Sequence, residues 1–191
     1  MRLNQLLPLR YPLIQGGMAN IATGAFAAAV SNAGALGLIG SGGMDADTLR
    51  AEIEDCKRHT DRLFGVNLML MNPDIVRQAE LVIELGVPVL TTGAGNPAAY
   101  MKDWKQANIR VFPVVASVAL ARLMERMGAD GVIAEGAESG GHIGETTTMA
   151  LLPQVCDAVT IPVIAAGGIA DGRQALAAFA MGASGLQVGT C

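Results

Sequence analysis

Eight short apolar segments recur along the chain, separated by longer segments in which apolar residues return at helical spacing. Apolar and polar residues alternate only weakly within the short segments, which is typical of parallel strands buried on both faces. We therefore predict eight strands, at Pro12–Gln15, Leu36–Ile39, Phe64–Met69, Pro88–Thr92, Arg110–Val115, Gly131–Ala134, Pro162–Ala166 and Gly185–Val188.

Helices are predicted between the strands because these segments begin with capping residues and end with glycine. The predicted starts are Asp47 before Thr48–Arg58, Asn72-Pro73 before Asp74–Leu85, Asn96-Pro97 before the next helix, and Ser117 before Val118–Met127. The glycines predicted to follow helix C-termini are Gly34, Gly86, Gly128 and Gly182. A glycine there adopts the left-handed conformation that ends a helix.

This alternation of strands and helices predicts the fold class. Seven helices separate the eight strands, and repeated βα units with short loops form a parallel sheet. Eight such units favour a (β/α)8 TIM barrel over an open sheet. We predict a single domain over residues 1–191. Because the chain ends directly after the eighth strand, we expect a barrel truncated there, without its last helix.

Composition and charge exclude several classes of protein. A hydrophobic content of 51% with 16% charged residues excludes a disordered chain. A net charge of −4 without any cluster of lysine and arginine argues against nucleic-acid binding. No apolar run reaches the roughly 18 residues that span a membrane, and no secretory signal is seen. The three widely spaced cysteines predict reduced thiols in a cytoplasmic protein.

Glycines follow the predicted strands repeatedly, and the last two such ends carry the clearest signal. Gly167-Gly168 follows strand seven, and Gly189-Thr190 follows strand eight. In barrels that bind phosphate, the loops after these two strands commonly hold it with backbone N–H groups. We therefore predict a phosphate site there; the alternative is that Gly167-Gly168 is only a tight turn.

A histidine lies in the glycine-rich loop after strand six, where Gly140-Gly141 precedes His142. Active sites of barrels lie at the C-terminal ends of the strands, so this loop is on the functional side. We predict that His142 donates or accepts a proton or orients a ligand. The other histidine, His59, lies in a charged helix and is expected to be solvated.

Two further segments are candidates for cofactor contacts. Asn67 lies inside an apolar strand, and a buried amide needs hydrogen-bond partners, either on a cofactor ring or on a neighbouring backbone. The segment Gly16-Gly17-Met18-Ala19 follows strand one and lets the backbone approach a flat ring. Nothing in the sequence has the spacing of metal ligands, and no Ser/His/Asp or Cys/His arrangement stands out.

These segments together resemble a known family. The glycine segment after strand one, Gly65–Leu70, Thr91–Pro97, the Gly140-Gly141-His142 loop and Ala165–Gly172 are similar, in order and spacing, to the flavin-dependent enoyl-[acyl-carrier-protein] reductase II (FabK) family, within the nitronate monooxygenase/2-nitropropane dioxygenase-like superfamily. The resemblance implies FMN as the cofactor. The cofactor-binding residues that it implies are Gly16, Gly17, Met18, Ala19, Asn67, Glu135, Gly140, Gly141, Gly167, Gly168, Gly189 and Thr190.

The resemblance also implies a reaction in fatty acid biosynthesis. NADH or NADPH reduces the flavin, which then delivers a hydride to Cβ of a trans-2-enoyl thioester on acyl carrier protein. The catalytic residue that it implies is His142, which helps to protonate Cα. Members of the family continue with a last helix and a lid segment that supports a homodimer, so the resemblance implies that these parts are missing here.

Three alternatives stay open. The first is a nitronate monooxygenase, which uses FMN and O2. The second is a non-catalytic, truncated barrel fragment, and the third is a flavin-free barrel for phosphorylated sugars. The Gly140-Gly141-His142 loop disfavours the third alternative.

Overall fold

The computed structural model describes residues 2–141 and 144–189. Eight strands and eight helices are found in these two ranges. The strands are β1 (Leu13–Gln15), β2 (Gly37–Gly40), β3 (Phe64–Met69), β4 (Val89–Gly93), β5 (Arg110–Val115), β6 (Val132–Glu135), β7 (Val163–Ala166) and β8 (Gly185–Val188). The helices are α1 (Leu3–Leu6), α2 (Gly24–Ala33), α3 (Ala46–His59), α4 (Ile75–Glu84), α5 (Ala98–Gln106), α6 (Val118–Arg126), α7 (Thr148–Ala158) and α8 (Gly172–Ala180).

The strands form one sheet in the order β1-β8-β7-β6-β5-β4-β3-β2, in which each strand after β1 neighbours the next one along the chain. The pairs with assigned register are parallel, for example Glu135 opposite Ala166 and Asn67 opposite Thr91. Since a helix follows each of β1 to β7, the predicted (β/α)8 class is confirmed. In the part of the chain that the structure describes, no helix is long and apolar enough to cross a membrane.

The sequence predicted the ends of the strands to within one residue. The four predicted glycines all adopt a left-handed φ after a helix, between 60° at Gly86 and 106° at Gly182. Ser117 caps α6, as its hydroxyl accepts from the N–H of Leu120. The prediction for α3 was wrong. Asp45, and not Asp47, accepts from the N–H of Thr48, because the helix begins two residues earlier than predicted.

The chain divides into two compact units, which we call unit 1 (the chain up to Ile14 together with Phe112 onward) and unit 2 (Gln15–Val111). In unit 1 the N-terminal segment is hydrogen-bonded to the last strand region, with Leu3 N–H donating to Ser184 O (2.8 Å) and Leu186 N–H donating to Pro12 O (3.0 Å). The fully buried core of unit 1 is formed by Leu3, Ile14, Phe112, Met124, Ile133, Leu152 and Ile164, among others.

Unit 2 has its own core around a buried tryptophan. Trp104 is fully buried, and its indole N–H donates to Ala79 O at 3.2 Å, which satisfies its only polar group. Leu36, Leu38, Ile39, Leu49, Ile53, Leu68 and Leu90 complete this core. The prediction that the whole chain behaves as one domain stays a prediction.

Candidate functional site

The turn after β7 in unit 1 requires glycine at two consecutive positions. Gly167 has φ +102° and Gly168 has φ +69°, which are left-handed conformations that other residues rarely adopt. A Cβ on Gly167 would lie 2.7 Å from Thr148 Oγ1 and 2.9 Å from Ser139 Oγ. Gly168 is exposed, and within residues 2–141 and 144–189 its backbone N–H has no acceptor. In the described part of the chain the turn therefore presents a donor that suits an anionic ligand.

A network of polar groups holds this turn against the loop after β6. The backbone N–H of Thr148, the first residue of α7, donates to Glu138 Oε2 at 2.8 Å. The Thr148 hydroxyl lies within hydrogen-bond distance of that same carboxylate oxygen (3.0 Å), of Ala166 O (3.2 Å) and of Gly167 O (3.0 Å). Burial raises the pKa of the Glu138 carboxyl, but the hydrogen bonds from Thr148 outweigh it, and the net pKa is lowered.

A second carboxyl, at the end of β6, has a different environment. Glu135, the last residue of β6, is half-buried, and its burial raises its pKa, an effect that a hydrogen bond from the Ser139 hydroxyl partly offsets. Gly140 and Gly141 are exposed; Gly141 has φ +84°, and none of the described residues beyond its neighbours in the chain lies within 4 Å of the position of a Cβ there. His142, the predicted catalytic residue, lies outside the described residues.

Near the end of β8 lies a residue that the sequence reasoning missed. Gln187 lies opposite Ala166 in the register, and its buried Oε1 has no hydrogen-bond partner among the described residues. A buried acceptor without a partner indicates a donor from a ligand or water. The signal was available, because glutamine inside an apolar strand raises the same question as Asn67. Gly189 is exposed, and Thr190 lies outside the described residues.

The predicted cofactor residues of unit 2 form a separate group. A Cβ on Gly17 would lie 2.3 Å from Asn67 Cβ and 2.6 Å from its Cγ, so the Asn67 side chain packs directly on the Gly17 backbone. Asn67 Nδ2 donates to Thr91 Oγ1 at 2.9 Å, so its partner is a side chain. Gly16 is buried, Met18 is half-buried and Ala19 is exposed.

The structure thus brings the predicted residues together in two sets. Those of unit 1 follow β6, β7 and β8, which are neighbours in the sheet, so that their C-terminal ends lie at the same edge. Those of unit 2 meet in the Gly17–Asn67 contact. The residues missed by the sequence reasoning are Glu138, Ser139, Thr148 and Gln187, of which Thr148 is a helix residue that no sequence motif marks.

Comparisons with known proteins place these features in context. A family model described as nitronate monooxygenase matches residues 1–82 and 72–191. The solved structure of FabK from Thermotoga maritima is 54% identical, with a TM-score of 0.97 over 98% of this chain and 60% of that one. A probable nitronate monooxygenase of Staphylococcus aureus is 34% identical, covering 99% of this chain and 66% of that protein.

A third relative comes from Mycobacterium tuberculosis. It is a (3aS,4S,5R,7aS)-5-hydroxy-7a-methyl-1-oxo-octahydro-1H-indene-4-carboxyl-CoA dehydrogenase, 39% identical over 98% of this chain and 54% of its own length. This chain therefore spans between about half and two thirds of the length of the three proteins it is compared with.

Proposed function

Because this chain belongs to the nitronate monooxygenase family, we propose that it is the FMN-binding part of an NAD(P)H-dependent enoyl-[acyl-carrier-protein] reductase. The observation that carries the proposal is the turn after β7, where the two glycines are left-handed and the N–H of Gly168 has no acceptor within residues 2–141 and 144–189. Backbone N–H groups at the end of this barrel strand suit the phosphate of a nucleotide-like cofactor.

The described residues fit FMN in several respects. Gly167 and Gly168, with Gly189 after β8, are assigned to its phosphate. Oε1 of Gln187, which has no partner among the described residues, accepts a hydrogen bond from a polar group of the cofactor or from water. Gly16–Ala19 and Asn67 are assigned to the ring through the resemblance. When bound, FMN supplies the hydride transfer from NAD(P)H to Cβ of the enoyl thioester.

The chain's own contribution to the chemistry is the proton. His142 is assigned the delivery of a proton to Cα of the thioester, because imidazole titrates near neutral pH and the loop that carries it follows β6. Burial raises the pKa of the half-buried Glu135 at the end of that strand. Binding of acyl carrier protein, a homodimer and a cytoplasmic location remain predictions.

Two lines of support favour the reductase. The FabK structure has the highest identity of the proteins compared, 54%. The name of the M. tuberculosis relative describes a dehydrogenase of a CoA thioester, which supports thioester chemistry. The second candidate is a nitronate monooxygenase, which the family model and the S. aureus relative favour.

The test begins with the absorption spectrum of purified protein loaded with FMN. We expect bound flavin that is bleached by NADH or NADPH without oxygen and reoxidised by crotonyl thioester. Reoxidation by O2 with consumption of an alkyl nitronate, and no reaction with the enoyl thioester, would support the second candidate. Natively folded protein that binds no FMN would exclude both.

The role of His142 is tested with a matched histidine. His142→Ala is expected to keep bound FMN and to slow thioester reduction by about 100-fold, as for a lost general acid. His59→Ala is the control, because His59 is exposed and its imidazole contacts Asp55 of the same helix. Equal turnover of the two variants would remove His142 from the mechanism.

A further inference from the structure

We propose that Glu138 and Thr148 are positioning residues, which clasp the loop after β6 and the start of α7 to the turn after β7 and so orient the N–H groups of that turn toward a phosphate. The inference rests on the proposed FMN site and deepens it. It depends on contacts that all lie within unit 1.

The first step is the unusual cap of α7. Thr147 is the residue at the N-cap position, yet its side chain makes no capping hydrogen bond. Glu138, ten residues before Thr148, takes this place by accepting the N–H of Thr148 and lying 3.0 Å from its hydroxyl. A carboxylate is well placed there, because the N-terminal end of a helix carries partial positive charge. The loop after β6 is thereby fixed to the helix.

The second step is the contact between Thr148 and the turn. Its hydroxyl has one proton and three acceptors within 3.2 Å, of which Ala166 O and Gly167 O belong to the end of β7 and the turn. A Cβ on Gly136 would lie 2.1 Å from this hydroxyl, and one on Gly167 would lie 2.7 Å away. Thr148 therefore fills the space between the two loops, and both loops have glycine where they approach it.

The third step concerns charge. Glu138 is a poor ligand for a phosphate, because two anions repel one another. Its carboxylate is engaged by the N–H of Thr148, and its Cβ lies 3.3 Å from the position of a Cβ on Gly168. The carboxylate therefore acts on phosphate binding through the turn, by holding Gly167 and Gly168 in their left-handed conformations.

The experiment compares binding of FMN with binding of riboflavin, which has the same ring and side chain without phosphate. Dissociation constants are measured by flavin fluorescence for the wild type, Thr148→Val, Thr148→Ser and the control Thr147→Val. We expect Thr148→Val to lower the affinity for FMN by about 10- to 100-fold and the affinity for riboflavin by less than about 3-fold. Thr148→Ser keeps the hydroxyl and restores FMN affinity, and Thr147→Val binds FMN as the wild type does.

A second pair guards against misfolding of the Thr148 variants. Glu138 is exposed, so Glu138→Ala should fold. We expect it to lower the affinity for FMN more than that for riboflavin, as Thr148→Val does. Glu138→Gln retains an acceptor and restores FMN binding. Glu145→Ala, at another exposed acidic position of this loop, is the control. Wild-type FMN affinity in Thr148→Val and Glu138→Ala, or an equal loss of affinity for FMN and riboflavin, would overturn the positioning role of Glu138 and Thr148. A wild-type protein that binds no FMN would overturn the proposed function and, with it, the positioning role of the two residues.

Discussion

Two turns, Gly167-Gly168 after β7 and Gly16-Gly17 after β1, look alike in the sequence but require glycine for different reasons. At Gly167 the backbone itself is left-handed, with φ +102°, and the surrounding atoms are hydroxyls and a carbonyl. At Gly17 no left-handed φ is found, and the crowding comes from Cβ, Cγ and Oδ1 of Asn67. The first turn is thus constrained by conformation and contact, the second by contact alone.

The two turns also differ in charge. The turn after β7 has two carboxyl-bearing residues beside it: Glu138 in the loop after β6 is adjacent to Gly168, and Glu135 at the end of β6 is opposite Ala166. The Gly17 turn is packed against Asn67, whose amide donates to the hydroxyl of Thr91, and neither of these side chains titrates. A left-handed backbone conformation cannot be relieved by changing a neighbouring side chain, whereas a close contact can. Because only the turn after β7 has titratable groups beside it, only there should the contribution to stability depend on pH.

The largest effect is expected for Gly167→Ala. The substitution forces alanine into φ +102° and places its Cβ 2.7 Å from Thr148 Oγ1 and 3.1 Å from Gly136 O. We expect the free energy of unfolding to fall by about 2–4 kcal/mol and FMN binding to be lost, since strain and crowding add. Denaturant unfolding and flavin fluorescence measure the two effects.

Controls for Gly167→Ala come from the same two loops. In Gly168→Ala the new Cβ meets the Glu138 side chain, with Cβ nearest at 3.3 Å, and φ is +69°, so the free energy of unfolding should fall by about half as much. Gly140→Ala has open space around it and should be close to neutral. If Gly140→Ala destabilised the protein as much as Gly167→Ala, the conformational reason for glycine in the turn would be wrong.

Gly17→Ala is expected to have the next largest effect. Its Cβ would lie 2.3 Å from Asn67 Cβ, so β3 or the turn must shift, at a cost of about 1–3 kcal/mol. Because the clash is with Cβ itself, Asn67→Gly should relieve it and Asn67→Ala should not. A double-mutant cycle on the free energy of unfolding measures this coupling, which we expect to be at least about 1 kcal/mol.

The control in unit 2 is Gly93→Ala, at the end of β4. No atom lies within 4 Å of a Cβ at this position and its φ is not left-handed, so a small effect is expected. Rescue of Gly17→Ala by Asn67→Ala as fully as by Asn67→Gly would contradict the proposed contact, and the two turns would then not differ in the way described.

The comparison also shows how far the sequence could predict the site. It predicted the glycine turns, because glycine after an apolar segment is a local signal that persists in any tertiary context. It could not predict that Asn67 packs on Gly17, since these residues lie fifty positions apart and meet only in the folded unit. Thr148 was missed for the same reason, as its partners Glu138 and Gly167 belong to two other loops.

The same distinction explains the error at α3. Asp45 and Asp47 are equally good caps by residue type, and the choice depends on where the helix begins. The N–H of Ala46 donates to the Asp74 carboxylate at 2.6 Å, a contact from a distant segment that holds the start of α3. Local chemistry therefore predicted the kind of cap, and tertiary contacts determined which aspartate acts as one.

The smallest effect is expected for Glu135→Gln, and it tests the difference in charge. Burial raises the folded-state pKa of Glu135 above its ordinary value of 4.5. The contribution of this carboxyl to the stability of the folded protein is therefore complete at pH values below 4.5 and is lost as the pH rises through the folded-state pKa. Glu135→Gln removes this loss, so we expect its Tm to exceed that of the wild type by up to about 3 °C at pH 7 and to match it near pH 3.5.

Glu145→Gln removes the same charge at an exposed position and should leave the Tm almost unchanged at both pH values. Asn67→Ala in unit 2 removes no ionisable group, so its Tm difference from the wild type should be the same at both. Thermal unfolding followed by circular dichroism gives all three comparisons. A Tm difference for Glu135→Gln that did not vary with pH would mean that the carboxyl is solvated, and the two turns would then differ only in conformation and contact.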